Sequence, residues 1–372
     1  MDATNVYEAE RTVLIAGAGV TGLTLAQGLK MLLPAEIWVQ IQSVHVDPHQ
    51  PVREKDEIQI LNGKTGEKIY GIPVERFYRA RREKYRSLLA HGLDVRFGKS
   101  LESFREENDR VVARFEDGTE VTGRMLVGAD GARSKLRRLL LGPGPGSVNR
   151  LPFAANFVQA RYTAAQMKQL LAVHPIYLGA IHPDGRFGFF GMHDVRNPAD
   201  PASWTILFYI SWPATPEELV EMADWTNAQH LAKLKSLASG WCDPWKSAAE
   251  WLPDEQPIWH MGLTDWDPGM EGHQWDSRGG KVTLTGDAAH PMTYQRGQGL
   301  NHCVTDVWEL VQAVKSFMTA EKTQVEAIDA FEDEMVNRAG EEVRVCTVNS
   351  AMLHDWAKFS ESMLLKIGLK QR

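Results

Sequence analysis

Apolar and polar positions mark short strands near both ends of the chain, with a longer mixed block between them. Thr12 to Ala16 reads TVLIA, a short apolar strand, followed by glycines and a helical run from Val20 to Leu33. Glu36 to Val46 alternates in part like a strand. Arg79 to Leu89 has helical spacing, and Leu93 to Thr122 carries short strands turned at Asp117-Gly118. Arg124 to Gly128 (RMLVG) predicts a second buried strand, and Ala132 to Leu141 a helix. The run Gly142-Pro-Gly-Pro-Gly146 breaks this pattern. Beyond it, strand-like segments at Asn156 to Arg161, Arg186 to Gly191 and Trp204 to Trp212 mix with amphipathic helices and many tryptophans. Lys281 to Gly286 (KVTLTG) returns to the short apolar strand. Helices then cover Gln298 to Phe317 and Val325 to His354, the second expected to break at Gly340. The order implies an α/β domain over 1–150 and 270–372, interrupted by an inserted α+β, sheet-containing domain over 151–269, with helices at the C-terminus.

Composition removes several alternatives. The chain has 372 residues, 43% of them hydrophobic and 24% charged, enough for a sizeable core. A net charge of −7 argues against a nucleic-acid partner. The basic run Arg79 to Arg86 is interrupted by Glu83 and Tyr85 and reads as one face of a helix. Cys242, Cys303 and Cys346 are far apart, so they suggest neither a disulfide framework nor a zinc ribbon. The twelve histidines show no metal-ligand spacing. The N-terminus is acidic without an apolar signal region, and no apolar run reaches the roughly 20 residues of a membrane span. A cytoplasmic, soluble protein with no membrane span is the expectation.

Three glycine-rich motifs carry the chemistry. Gly17-Ala18-Gly19-Val20-Thr21-Gly22 follows a strand and opens a helix, the placement a dinucleotide pyrophosphate requires. Gly17 permits the tight turn, Gly19 the approach of the pyrophosphate, and Gly22 close helix packing, while the helix N-terminus offers unpaired amides. The first domain is thereby Rossmann-like. Gly128-Ala129-Asp130-Gly131-Ala132-Arg133-Ser134 also ends a strand, and Asp130 is suited to cap the helix near Ala132. The third motif joins Gly286-Asp287-Ala288-Ala289-His290-Pro291 to Arg296-Gly297-Gln298-Gly299-Leu300-Asn301. Asp287 at a strand end can accept hydrogen bonds from sugar-alcohol hydroxyls. The Gly297 to Asn301 run lets backbone approach a flat ring, and the following helix dipole would stabilise negative charge on it.

In this order the motifs resemble the FAD-dependent aromatic monooxygenases related to p-hydroxybenzoate hydroxylase, and especially fungal enzymes that tailor secondary metabolites. The resemblance runs from about Arg11 to the C-terminus, including Gly340-Glu341-Glu342-Val343-Arg344. It implies non-covalent FAD, reduction by NAD(P)H without a second nucleotide domain, O2 as co-substrate and a small aromatic substrate. Arg82 matches the family's flavin-contacting arginine, Asp287 its ribityl-binding aspartate, and Gly297, Gln298, Gly299, Leu300 and Asn301 its isoalloxazine loop. No catalytic base is identified, because this chemistry mainly needs substrate positioning and exclusion of water.

The chain also departs from the pattern. An acidic residue should follow the glycines by about 20 residues and hold the ribose, yet Glu36 comes early and Asp47 late. The stretch from Gly22 to Asp130 is short for the family, which implies loss of an internal segment after the first helix, near Leu29 to Ala35. Loss of a central strand would expose the edges of its neighbours and remove the ribose anchor. Two further readings therefore stand beside a monooxygenase: a non-catalytic remnant with a binding or scaffolding role, and a flavin dehydrogenase or oxidase. Tyr294 and Gln295 could line the flavin front but read first as surface-loop residues, and the tryptophans between Trp204 and Trp275 could shape an aromatic-substrate pocket but read first as core. The amphipathic segment Ser350 to Leu369 is expected to dock on the body.

Overall fold

The computed structural model describes residues 12–30 and 39–361. In chain order the elements begin with β1 (Val13–Ala16) and α1 (Val20–Leu29), then a 3-10 turn at Ile41–Val44, β2 (Lys55–Asn62) and β3 (Lys68–Glu75). Next come α2 (Arg82–Leu89), β4 (Leu101–Glu107), β5 (Arg110–Phe115), β6 (Glu120–Gly123), β7 (Met125–Gly128) and α3 (Lys135–Leu141). The middle of the chain forms β8 (Asn149–Ala160), α4 (Ala164–Leu170), β9 (Tyr177–His182), β10 (Arg186–Asp194) and β11 (Thr205–Pro213). Helices α5 (Pro216–Ala223), α6 (Asn227–Ala238) and α7 (Trp245–Glu250) lead to β12 (Ile258–Asp265) and β13 (Val282–Leu284). The last helices are α8 (Gly299–Met318), α9 (Gln324–Leu353) and α10 (Trp356–Glu361). Among the described residues no helix is long and apolar enough to cross a membrane.

Two compact units result. The first comprises the residues up to Ile41, Arg82–Asn149 and Thr264–Val348; the second comprises Gln42–Arg81, Arg150–Leu263 and the residues from Asn349. Gln42–Arg81, expected with the first domain, groups with the second because β2 pairs in parallel with β9 and extends its sheet. The expected strand over Glu36 to Val46 is replaced at Ile41–Val44 by a 3-10 turn, and Glu36 lies outside the described residues.

The first unit is built on a three-stranded parallel sheet in the order β1-β7-β13, with a separate antiparallel sheet β4-β5-β6. Asp117-Gly118 turns β5 into β6, as its sequence predicts. Strands β7 and β13 are buried at every residue, as strands covered on both faces should be. All four residues of β1 are only half-buried, and among the described residues β1 is an edge strand. The core joins Leu25 of α1, Leu126 of β7, Leu284 of β13 and Leu310 of α8. Helix α9 runs unbroken through Gly340. The glycine there answers to packing, since a Cβ would sit 2.8 Å from Asp267 Oδ1.

The second unit has a seven-stranded sheet in the order β12-β8-β11-β10-β9-β2-β3. Helices α4, α5 and α6 each start in a capping box, Thr163 with Gln166, Thr215 with Glu218 and Thr226 with Gln229. One sheet face, carrying Ala154, Val158, Phe190, Phe208 and Ile210, packs into the core with Leu234, Trp241 and Trp245. Trp212 also belongs to that core, and Trp266 is buried in the first unit, so these tryptophans are packing residues. The opposite sheet face carries Phe157, Phe189 and Tyr209, whose rings lie 4.4 Å (Phe157–Tyr209) and 5.8 Å (Phe189–Tyr209) apart, with the Arg79 guanidinium 4.7 Å over Phe189. At the end of α9, His354 stacks on Phe153 of this unit, and α10 follows. Residues 362 to 369 of the expected amphipathic segment lie outside the described residues.

Candidate cofactor site

Strands β1, β7 and β13 end together. The Ala129 amide donates to Ala16 O at 2.7 Å, and the Thr285 amide to Gly128 O at 2.9 Å. All three glycine motifs therefore leave one end of one parallel sheet, the end at which open α/β folds bind ligands.

The glycines of the first motif answer to different demands. Gly17 has φ +128°, and a Cβ there would sit 2.1 Å from Ala129 O. At Gly22 a Cβ would lie 2.0 Å from Gly17 O. Beside Gly19 nothing comes within 4 Å, so no protein group requires a glycine at that position. Gly19 is the N-cap of α1 and supplies no side-chain cap, which leaves first-turn amides open to an anion. A Cβ on Gly286, at φ +61°, would meet Thr21 Oγ1 at 2.6 Å, so the first and third motifs are packed directly together.

Arg82 is exposed at the first residue of α2 and has no hydrogen-bond or ion-pair partner among the described residues. One turn later, Arg86 donates from Nε to Ala18 O at 2.9 Å, within the first glycine loop. Sequence reasoning passed over Arg86, although its four-residue spacing from Arg82 puts both on one side of the helix. Gln27, buried in α1, donates to Leu89 O at 2.7 Å and His91 O at 2.9 Å and holds the end of α2.

In the second motif Asp130 Oδ2 accepts from the Lys135 amide at 2.6 Å and the Leu136 amide at 3.2 Å. Ser134 is the cap of α3, which starts at Lys135 rather than near Ala132. Asp130 Oδ1 is buried and among the described residues has no hydrogen-bond partner. Arg137, fully buried, donates to Gly146 O at 2.9 Å, Ala288 O at 2.7 Å and Ala132 O at 2.6 Å, and lies 4.8 Å over the Trp266 ring. It thus ties the second motif to the third. Burial lowers its pKa to about 10, opposed by the charge of Asp130. Its sequence signal was an arginine three residues past the capping serine.

In the third motif Asp287 is half-buried between buried Gly286 and Ala288, and its carboxylate has no hydrogen-bond partner among the described residues. The carboxylate stands at the start of α8, where a Cβ on Gly299 would be 3.9 Å from Oδ1. Gly297 takes a left-handed conformation with φ +68°, and nothing lies within 4 Å of its Cβ position. Gln298 is the N-cap of α8 without a side-chain cap; it donates to Arg296 O at 3.3 Å and accepts from Asn301 Nδ2 at 3.1 Å. Leu300 is 42% exposed on the first turn. Tyr294 and Gln295 turn inward rather than lying on the surface, and burial pushes the Tyr294 phenol well above its ordinary range.

Below this loop lies an ionic network. Asp306 Oδ2 accepts from the Gly286 amide at 2.7 Å and meets His290 Nε2 at 2.5 Å, while Oδ1 meets Arg338 Nη2 at 2.8 Å. Burial pushes the Asp306 carboxyl upward, but His290, Arg338 and the Gly286 amide outweigh it and hold the pKa low. Arg296 is held by Glu342 of α9 at 2.9 Å. Asp47, which comes too late after the glycines for the expected ribose carboxylate, belongs to the second unit and caps its own turn through the His49 amide at 3.1 Å and Gln50 Nε2 at 2.7 Å.

A strand-end cradle of this kind is the hallmark of nucleotide-binding oxidoreductases, and the comparisons specify which. The family model described as an FAD binding domain matches residues 42–236 and 272–344, more than half of the chain. The chain belongs to that family, and it is an FAD-dependent monooxygenase with FAD as cofactor. It is 32% identical to the FAD-dependent monooxygenase cctM of Talaromyces islandicus, over 97% of this chain and 98% of the relative. It is also 32% identical to the FAD-dependent monooxygenase phnB of Penicillium herquei, over 96% and 94%. Among solved structures, a variant of Klebsiella pneumoniae HpxO complexed with FAD superposes with a TM-score of 0.69 at 19% identity, covering 95% of this chain and 92% of the other. A salicylate hydroxylase substrate complex gives 0.69 at 16%, covering 96% and 94%. The family match begins after the first glycine motif. The alignment to the Talaromyces protein spans 397 positions, more than the 372 residues of this chain, so the relative carries residues that this chain lacks.

Proposed function

We propose that the enzyme hydroxylates an aromatic, polyketide-derived small molecule with O2, using NAD(P)H as reductant. The observation that carries this reading is the convergence of the unengaged Asp287 carboxylate, the uncapped first turn of α8 and the open space at Gly19 on one sheet end. FAD fits those features. The loop of Gly17, Gly19 and Gly22 would hold its pyrophosphate against the first-turn amides of α1, and Asp287 would accept hydrogen bonds from its ribityl hydroxyls. Gly297 to Asn301, the loop and first turn of α8, would hold its ring, where the helix dipole would favour the negative charge of the reduced state. Arg82, exposed on α2, and Asp130, with one oxygen unengaged, complete the cofactor set. When bound, the flavin takes electrons from the nicotinamide and activates dioxygen.

In the second unit, the sheet face of Phe157, Phe189 and Tyr209 offers a bed for an aromatic ring, and its half-buried Phe157, Phe189 and Leu207 leave contact area for one. The three cysteines are free, which suits a reducing compartment and a cytoplasmic enzyme. A second reading rests on a specific observation: among the described residues β1 is an edge strand, which suits a remnant that keeps the fold without turning over.

Flavin absorption of the purified protein, with NAD(P)H consumption and product mass in the presence of aromatic substrates, decides between them. A yellow protein that inserts oxygen is the expected result. A colourless protein that FAD cannot reconstitute would overturn it in favour of the remnant. Substrate-driven flavin reduction without oxygen insertion would mean a dehydrogenase or oxidase.

A further inference from the structure

A separate cavity of about 250 Å³ lies wholly within the second unit, lined by Arg81, Gln159, Arg161, His193, Asp194, Arg196 and Thr205 among others. Its position follows from strand register. Gln159 of β8 stands opposite Leu207 of β11, two residues along each strand from the Phe157–Tyr209 pair, so it shares their sheet face. Asp194 would fall on the helix-packed face if β10 kept its alternation past Met192. A bulge between Met192 and Asp194 instead sets Asp194 opposite Thr205, on the face of Gln159 and Tyr209. There Asp194 forms a salt bridge with Arg81.

The charge balance then favours an anion. Arg81 and Asp194 offset each other, and the remaining charged side chains of the lining are Arg161 and Arg196. Both are exposed, and among the described residues neither has a hydrogen-bond or ion-pair partner. Two unpaired guanidiniums opening into one cavity, in a chain of net charge −7, are an arrangement for forked recognition of an oxyanion.

We infer that this cavity is an oxyanion-binding pocket for the carboxylate or phosphate of a small molecule, with Arg161 and Arg196 as the recognition pair. The shared chemistry has two sources: a carboxylate on the aromatic substrate, or a phosphate of the pyridine nucleotide. The inference stands on the cavity alone and does not require the flavin reading. One distinguishing point is distance along the sheet. A ligand anchored here by a carboxylate reaches the Phe157–Tyr209 pair across two strand residues, roughly 7 Å.

The test is calorimetric titration of the full chain, as purified, with benzoate, inorganic phosphate, NAD+ and NADP+, in the native protein and in an Arg161→Gln/Arg196→Gln double variant. Both arginines are exposed, so the variant is expected to fold, and circular dichroism and flavin content check that it does. The expected result is binding of at least one oxyanion probe that weakens by about 10-fold or more in the variant and falls with added salt. Benzoate binding lost in the variant assigns the pocket to a substrate carboxylate. NADP+ preferred to NAD+, with the preference lost in the variant, assigns it to the nucleotide phosphate, as does phosphate binding alone. The proposal is overturned if no probe binds, or if binding is unchanged in a folded variant. Flavin content reports separately on the cofactor reading, since a colourless protein that still binds benzoate through these arginines keeps one and loses the other.

Discussion

Gly17 and Gly19 stand two residues apart and answer to different constraints, which makes them a matched pair of probes. At Gly17 a Cβ would collide with Ala129 O in a left-handed backbone, so Gly17→Ala should destabilise the fold by several kcal/mol and be read as a lowered thermal midpoint. At Gly19 a Cβ meets open space, so Gly19→Ala should leave the midpoint of the apoprotein unchanged while weakening FAD binding, measured by flavin fluorescence quenching. A Gly19→Ala protein that binds FAD as the native one does would remove the pyrophosphate from this loop. Asp287 is the third probe. Its carboxylate has no protein partner to lose, so Asp287→Ala should cost little stability and about 10-fold or more in FAD affinity, the worth of a charged hydrogen bond. These residues were legible in the sequence because each glycine motif is local. Arg86 and Arg137 were not, because their distant carbonyl partners, Ala18 for one and Ala288 for the other, lie 68 and 151 residues away along the chain.

At the scale of elements, Arg137 acts as the fastening between loops. Replacing it with Met keeps the volume over Trp266 but leaves the carbonyls of Ala132, Gly146 and Ala288 without their donor. A loss of about 3 kcal/mol is expected, visible as a lower denaturation midpoint in urea. The strands and helices themselves were largely readable: apolar runs identified β1, β7 and β13, and Asp117-Gly118 identified the β5–β6 hairpin. The misses have physical causes. Ile41–Val44 reads as strand by alternation alone, yet among the described residues no neighbouring strand pairs with it and it closes into a 3-10 turn. Gly340 reads as a helix break by propensity, but contact with Asp267 and continued burial of Ala339 and Val343 carry α9 straight through it. The inserted unit was assigned too few residues because the pairing of β2 with β9 joins segments about 120 residues apart, beyond the reach of any local pattern.

At the scale of the molecule, buried histidines should lower stability on mild acidification, against the opposite pull of Glu332, whose carboxyl burial raises to about 7. Burial holds His354 at about 4, where it bridges Ser211 Oγ and Ser350 O, and burial with His230 holds His260 at about 4. An unfolded histidine titrates near 6.5, so between about pH 6.5 and 4 the unfolded chain binds more protons than the native one. The contribution is therefore complete above that window and is lost as pH falls through it, amounting to about 2 kcal/mol for His354 by pH 5. The histidines should pull thermal midpoints down from pH 7.5 to 4.5, and His354→Gln should take away part of that pull; an unchanged slope would remove His354 from the account.

The β1-β7-β13 sheet also carries a consequence for synthesis. Its first strand leaves the ribosome early, its middle strand more than a hundred residues later, and its last only after the whole insertion has emerged. None of its pairings is available to a short nascent chain, whereas β8 to β12 lie within one contiguous stretch. The cofactor unit should thus close last, after the seven-stranded sheet of the second unit has largely formed. Chains stalled just beyond β12 should resist protease between Arg150 and Leu263 and remain cleavable at the first glycine loop, and flavin capture should begin only once Asp287 has cleared the exit tunnel.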